Sequence, residues 1–518
     1  MNHLPLLDIA IIGLYLLAMM GVGVYFARKG KTADSFTKAS GQIPGWAIGL
    51  SLFGTFLSSN TFLGVPGKAF GSNWNSYVFS LSLPLAAWIA ARYFVPFYRR
   101  IGGVSAYEHL EHRFGAWART YAVACFLLTQ MARTGSIFFG IALSLQALTG
   151  YDMATIMLVT GVCVTFYTVL GGIEAVIWTD VMQSILLIFG ALLVLVLVLI
   201  GIPGGVSTVV EAGMQDDKFS LGSWAPDFTS ATFWTILLYG LFINLNNFGI
   251  DQNYVQRYHT ASSEREAHRS LWLSVKVYVP VSLLFFIIGT CLYVYAQVHP
   301  DWLDVVRMRV ASERLPGVTD AARLSQEAAS LTAADLGDKI MPHFIVTNIP
   351  VGLTGLLVAA ILSAAMSTIS SNLNSAATVF LVDLYQRYFN RAATPERSLR
   401  VLYLATGGAG LLGTIAGISM IGVRSILDVW WELSGIFAGG MLGLFVLGMA
   451  SRRANNQAAF IAVIVGILII IWLTFSKLLP AHLEFLRNPL HVNMTIVVGT
   501  LSIFLVGLLV SRFRKLPS

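Results

Sequence analysis

Two charges stand where a long apolar run should exclude them. Arg133 lies mid-run in LLTQMARTGSIFFGIAL, and Asp180 lies in GGIEAVIWTDVMQS. A charge at membrane depth is costly and marks a functional site or a compensating pair. The planar fork of an arginine matches a carboxylate at two points, so Arg133 reads as an anchor for an acidic solute. The alternative is an ion pair with a carboxylate on another span, Asp180 included. The run SAAMSTISSNLNSAAT (363–378) places Ser367, Thr368, Ser370 and Ser371 together, and positions 367, 370, 371 and 374 share one helical face. Such hydroxyls serve helix packing, or, with freed backbone carbonyls, they surround a hard monovalent cation. If this run faces Gly54 and Leu57, their carbonyls complete the set, and Asp180 adds a negative charge to a second cation position. Lys276 can snorkel to water. Arg92 and Asp383 read as interfacial anchors, and Asp428 with Glu432 as a gate or a satisfied pair.

These residues need a scaffold, and composition names its class. Of 518 residues, 33 are Lys or Arg and 26 are Asp or Glu, so 11% are charged. A soluble domain averages about 25%. Apolar types make up 56% and mean hydropathy is +0.72. A cytosolic enzyme, a secreted disulfide scaffold and a disordered chain are excluded, which leaves an all-α polytopic membrane protein. Cys125, Cys163 and Cys291 all lie in apolar runs with no CxxC, so no disulfide framework or zinc site is suggested. The first apolar run has no basic leader and reads as a retained helix.

Thirteen runs are long enough to span a bilayer, near 5–27, 45–69, 77–99, 118–148, 153–170, 175–202, 231–255, 271–298, 345–386, 400–421, 425–450, 457–478 and 492–512. One set of loops holds 20 basic residues, Arg99, Arg119, Arg257 and Arg387 among them, and the other holds 10. Five of those 10 lie in the long loop 299–344, which counts little toward orientation. The basic loops therefore face the cytoplasm, with the N-terminus outside and the C-terminus inside. The net charge of +7 is then a topology signal, and no nucleic-acid partner is implied. Within loop 299–344, the Ala-rich stretch Asp320 to Lys339 predicts a short surface helix.

Two spans look interrupted. The second carries Gly54, Ser58-Ser59-Asn60, Gly64 and Pro66-Gly67; the seventh carries Asn244, Asn246, Asn247 and Gly249. Irregular backbone at membrane depth survives only beside protein or a water-filled cavity, and paired breaks point to a transport site. The breaks are five spans apart, which fits two five-helix repeats. The plan is one domain over 1–518: an extra helix at 5–27, a first repeat at 45–202, a second at 231–450 including the outer loop, and two extra helices within 457–512. A channel needs a repeated filter or charge ring, and a membrane enzyme needs a metal or nucleophile motif. Neither is present in the sequence, so no catalytic residues are assigned.

Five segments in order resemble the sodium:solute symporter family: SLFGTFLSSNTFLGVPGKAF (51–70), GGIEAVIWTDVMQ (171–183), DQNYVQRY (251–258), AAILSAAMSTISSNLNSAAT (359–378) and GMLGLFVLGMASRRANN (440–456). The resemblance implies a LeuT-type five-plus-five inverted repeat with two broken helices. It implies a sodium site at Gly54, Leu57 and Ala364 through carbonyls, with Ser367 and Thr368 through hydroxyls. A second sodium site matches Asp180, Ser367, Ser370 and Ser371. Within the family the chain is most similar to bacterial sialic-acid symporters, whose sugar acid an arginine holds. Arg133 stands at that position, with Ser58, Ser59 and Thr61 beside it.

Phe56, Ser76 and Ser80 depart from that pattern, where a hydroxyl residue, an aromatic and a Gln are expected. A neutral sugar or another small carboxylate therefore stays open as the solute. The implied activity is symport in a bacterial inner membrane, with two sodium ions as coupling ions. Its partners are a small-molecule substrate and the lipid bilayer, and no obligate protein partner is evident.

Overall fold

Backbone that leaves water for hydrocarbon must bond to itself, and the apolar runs satisfy this as helices. The computed structural model describes residues 4–29, 32–315, 317–318, 320–421 and 426–513, and every named element among them is helical. Among the described residues, ten helices are long and apolar enough to cross a membrane, or eleven with one bent pair counted as a span.

In chain order, α1 (Leu6–Lys29) is followed by the bent pair α2 (Gly45–Phe56) and α3 (Ser59–Gly71). Helix α4 (Trp74–Ile101) contains a π-helical turn at Ala90–Phe94, and the short α5 (Glu108–Phe114) leads into α6 (Ala116–Thr149). Then come α7 (Met153–Ile200), α8 (Phe233–Ile250), α9 (Gln252–Thr260) and α10 (Glu264–Val298). The outer loop contributes α11 (Ala333–Asn348), and α12 (Leu353–Phe389) and α13 (Pro395–Ser419) follow. Helices α14 (Ile426–Ala450), α15 (Asn456–Phe475) and α16 (Met494–Phe513) complete the chain. The side chains of Asp428 and Glu432 lie outside the described residues.

Helix α12 is the axis of the molecule. Its most apolar window is 89% buried, against 17% for α1, and it packs on α1, α2, α6, α7 and α13. That inversion makes sense of the hydroxyls on α12. A polar helix face is tolerable at membrane depth only when protein surrounds it.

The expected spans 153–170 and 175–202 are joined without a loop as α7, which is 48 residues long. At 1.5 Å per residue a straight helix of that length would reach about 70 Å, more than twice the hydrocarbon core. The run turns at Gly172, where φ is 58° and ψ is −160°.

Four expectations need correction. Span seven does not break at Asn244–Gly249: α8 continues to Ile250 and the break falls at Asp251. Asn244 is absorbed by Ser82 Oγ at 3.0 Å, and Gly249 lets Phe94 approach. The Asp320–Lys339 stretch is not one surface helix. It divides at Leu331-Thr332, where Thr332 and Asp335 form a capping box, and α11 buries Leu336, Ile340 and Phe344 against α3. Gly67 and Gly337 permit this contact, since a Cβ on Gly67 would lie 2.6 Å from the Gly337 carbonyl carbon. Asp383 and Arg119 are not at an interface and in a loop, respectively. Asp383 is buried and accepts a hydrogen bond from Arg119 Nε at 2.6 Å, and Glu111 accepts from Arg119 and Arg387.

Gly172→Ala tests the α7 turn. Its Cβ would fall 2.8 Å from Phe36 Cα in a backbone region open almost only to glycine, at a cost of about 1–3 kcal/mol. The melting temperature in detergent should fall clearly for Gly172→Ala and stay unchanged for Gly407→Ala, which has open space around it.

Candidate functional site

Helix α2 stops at Phe56 because Leu57 (φ −95°, ψ 101°) and Ser58 (φ −104°, ψ 176°) are extended before α3 begins at Ser59. A helix end leaves its last four carbonyls without helical partners. At this depth no bulk water replaces them, and side chains do. Ser367 Oγ donates to the Gly54 carbonyl at 3.0 Å, and Thr368 Oγ1 reaches the Gly54 and Thr55 carbonyls at 3.4 Å each. The Ala364 carbonyl lies 3.1 and 3.4 Å from the same two hydroxyl oxygens, as an alternative acceptor for their protons. Leu57 is fully buried at the break itself. Gly54, Ala364, Ser367 and Thr368 thus meet as an oxygen cluster beside Leu57. A hydroxyl that rotates its proton away presents a lone pair instead, so the cluster could offer an all-oxygen donor set to a hard cation.

One turn along α12 the structure adds a feature absent from the sequence reading. Arg257, counted above among loop residues, is 1% exposed. Its Nη2 donates to Asp180 Oδ2 at 2.9 Å and to Ser371 Oγ at 2.6 Å. Ser51 bridges the pair, receiving from Arg257 Nε at 2.8 Å and donating to Asp180 Oδ2 at 2.6 Å. Ser370 Oγ donates to the Ser367 carbonyl at 3.1 Å. Asp180, Ser51, Ser371 and Arg257 are therefore one cluster, and Ser367 and Ser370 adjoin it through the α12 backbone. The alternative pairing of Arg133 with Asp180 is not the one formed.

Arg133, on α6, is 7% exposed, and its Nη2 donates to the Thr55 carbonyl at 2.7 Å. It lies within electrostatic reach of Asp251, Tyr254 and Tyr278. Asp251 sits in the α8–α9 break and accepts from Asn253 N at 2.8 Å and Gln130 Nε2 at 3.2 Å. A cavity opens in front of Arg133, and Ser58 and Thr61 line it. Ser58 occupies the N-cap position of α3 without capping it, so its hydroxyl remains available. The α3 N-terminus faces the same region with its positive dipole end, which favours an anion. Ser59 is not in this lining; its hydroxyl donates instead to the Ile137 carbonyl at 3.4 Å. Phe56 packs on Tyr254 and Tyr278 at 4.8 and 5.4 Å between ring centroids. Ser76 and Ser80 line the opposite wall, where Ser80 and Ser282 hydroxyls meet at 2.7 Å.

Thr55, Ser51, Asp251 and Arg257 were missed from sequence. For Arg257 a signal existed: DQNYVQRY carries three amides and an arginine in one apolar neighbourhood, and Asp180 needed a cation.

A profile of the sodium:solute symporter family matches residues 36–466. The sodium/sialic acid symporter SiaT of Proteus mirabilis is 34% identical over 94% of this chain and 93% of that protein. The sodium/sialic acid symporter NanT of Aliivibrio fischeri is 34% identical over 97% of this chain and 92% of its own length. A substrate-bound, outward-open structure of a sodium-coupled sialic acid symporter superposes with a TM-score of 0.85 at 31% identity, covering 99% of this chain and 98% of that one.

The buried pair makes a stability prediction. Asp180→Asn leaves the Arg257 guanidinium buried without its anion, at a cost of about 3–5 kcal/mol. Melting temperature should drop sharply in Asp180→Asn and recover in part in Asp180→Asn/Arg257→Gln. Strictly additive losses would show that the two side chains do not interact.

Proposed function

The chain belongs to the sodium:solute symporter family, and from that premise we propose that it imports sialic acid (N-acetylneuraminate) with sodium by alternating access. The observation that carries the reading is one turn of backbone. The Gly54 carbonyl meets the α12 hydroxyls, and the next carbonyl, Thr55, holds the arginine that faces the cavity. An ion drawn to Gly54, Leu57, Ala364, Ser367 and Thr368 would tighten the turn that positions Arg133. Solute carboxylate at Arg133, with Ser58 and Thr61 beside it, would tighten the same turn from the other side. Binding of each then favours the other, as reciprocal linkage requires.

A second sodium is read at Asp180, Ser367, Ser370 and Ser371. One guanidinium nitrogen already bridges Asp180 and Ser371, so this ion and Arg257 would exchange places during the cycle. Two sodium ions with one monoanion carry one net positive charge inward, worth about 2.3 kcal/mol per 100 mV.

The chain is read as one transporter domain with thirteen crossings, α7 supplying two of them about Gly172. Repeats over 45–202 and 231–450 have opposite topology, and 5–27 and 457–512 lie outside them. The N-terminus faces out. Removing the buried Arg119 and Arg257 from the loop count leaves 18 of the 20 basic residues, and the orientation argument is unchanged. A neutral sugar remains the second reading. Phe56 brings an apolar ring to the cavity, and the Ser80–Ser282 pair is small and uncharged.

Proteoliposome uptake tests the reading. Labelled N-acetylneuraminate should accumulate under an inward sodium gradient, fail to accumulate in choline buffer, and carry one net charge per solute. Arg133→Ala should reduce uptake at least about a hundredfold, on the scale of a lost bidentate anchor. Accumulation of a neutral hexose by wild type and Arg133→Ala alike would replace the sugar-acid reading with the second one.

A further inference from the structure

We propose that a basic and aromatic groove between the end of α4 and the start of α10 binds the phosphate of an anionic phospholipid. Two adjoining grooves share His268. The larger encloses about 780 Å³ between Trp88, Arg92, Phe97 and Arg100; the smaller encloses about 370 Å³ between Arg265, Trp272 and Lys276. Both lie on the side that the loop charges assign to the cytoplasm.

The charge balance is one-sided. Arg92, Arg100, Arg265 and Lys276 make no ion pair among the described residues, and all four are exposed. The acid that lines the groove, Glu264, stands 4.0 Å from His268, and Arg269 is already bound by Glu266 at 2.8 Å. Four unpaired cations against one carboxylate call for an anion.

The walls call for something apolar as well. Trp88 and Tyr93 are each 54% exposed, and Ile101 is 48% exposed. Inorganic phosphate would meet the cations and leave these rings uncovered. A phospholipid supplies both parts: phosphate at the basic cluster and acyl chain along the aromatic wall, at the depth where Trp and Tyr settle in bilayers. A zwitterionic headgroup brings its own ammonium into a cationic groove, so an anionic one is preferred. The π-helical turn Ala90–Phe94 contributes by placing Arg92 and Tyr93 side by side on the outer surface, with the guanidinium 5.7 Å from the ring centroid.

Delipidated full-length protein is titrated with phosphatidylglycerol, phosphatidylcholine or inorganic phosphate, and bound lipid is read by native mass spectrometry. Phosphatidylglycerol should bind at least about tenfold tighter than phosphatidylcholine, as several surface cations imply. Arg92→Gln/Arg100→Gln/Lys276→Gln should lose that preference, and Arg452→Gln/Arg453→Gln, elsewhere on the same side, should keep it. If the triple variant does not fold, the exposed single variants Arg100→Gln and Lys276→Gln should each weaken phosphatidylglycerol binding about fivefold. Equal binding of the two lipids, retention in the groove variants, or equal loss in the control overturns the proposal. Competition by inorganic phosphate at the same concentration as lipid phosphate overturns the lipid assignment.

Discussion

The structure depends on a helix that ends where water is absent. Helix α2 stops at Phe56 deep in the bundle, and the carbonyls of its last turn lose their helical partners. An unmet carbonyl in a low-dielectric interior costs more than a typical hydrogen bond gains. The chain meets the need with side chains from two other helices: hydroxyls of α12 at Gly54 and the guanidinium of α6 at Thr55. This fixes the rest of the arrangement. Helix α12 must be polar on one face and must lie at the centre, and α6 must present an arginine at the same height. The break is therefore the point at which three helices meet.

A second buried electrostatic unit sits one turn further along α12. Asp180 and Arg257 are each almost wholly removed from solvent; Ser51 bonds to both and Ser371 to Arg257, while Asp180 Oδ1 is left without a hydrogen-bond partner among the described residues. Such a pair gains little net stability over apolar packing but makes the loss of either partner expensive. Ser371 Oγ also lies 3.2 Å from Thr55 Oγ1, and Thr55 Oγ1 donates to the Ser51 carbonyl at 2.8 Å. Thr55 thus touches both units, by its carbonyl toward Arg133 and by its hydroxyl toward the Asp180–Arg257 pair. One residue therefore contacts both.

Much of this was legible in the sequence because a membrane makes charge and hydroxyl clusters rare enough to stand out. Arg133 and the Ser367–Ser371 run were visible on those grounds, and so was the break after Gly54. Phe56, Ser76 and Ser80, flagged as departures, all line the cavity. The misses share a cause. Carbonyl ligands have no residue signature, so Thr55 was silent. An arginine near a span end is indistinguishable from an interfacial one until the fold surrounds it, which hid Arg257 and Arg119. Amides such as Asn244 read as a break when they were packing contacts, and the real break used an ordinary capping aspartate, Asp251. Ser59 had the right type in the right run, but its hydroxyl bonds to Ile137 on α6 and stands outside the cavity lining.

The central claim is that ion and solute communicate through the Gly54–Thr55 turn. Its most direct test is calorimetric affinity for N-acetylneuraminate, measured across sodium concentrations, in wild type and in Ser367→Ala/Thr368→Ala. Sodium should tighten solute binding in wild type by about tenfold or more, within the usual range of coupling energies. The variant should bind solute with the wild-type sodium-free affinity and show no response to sodium. Sodium-independent affinity in wild type, or a full sodium response in the variant, would contradict the account.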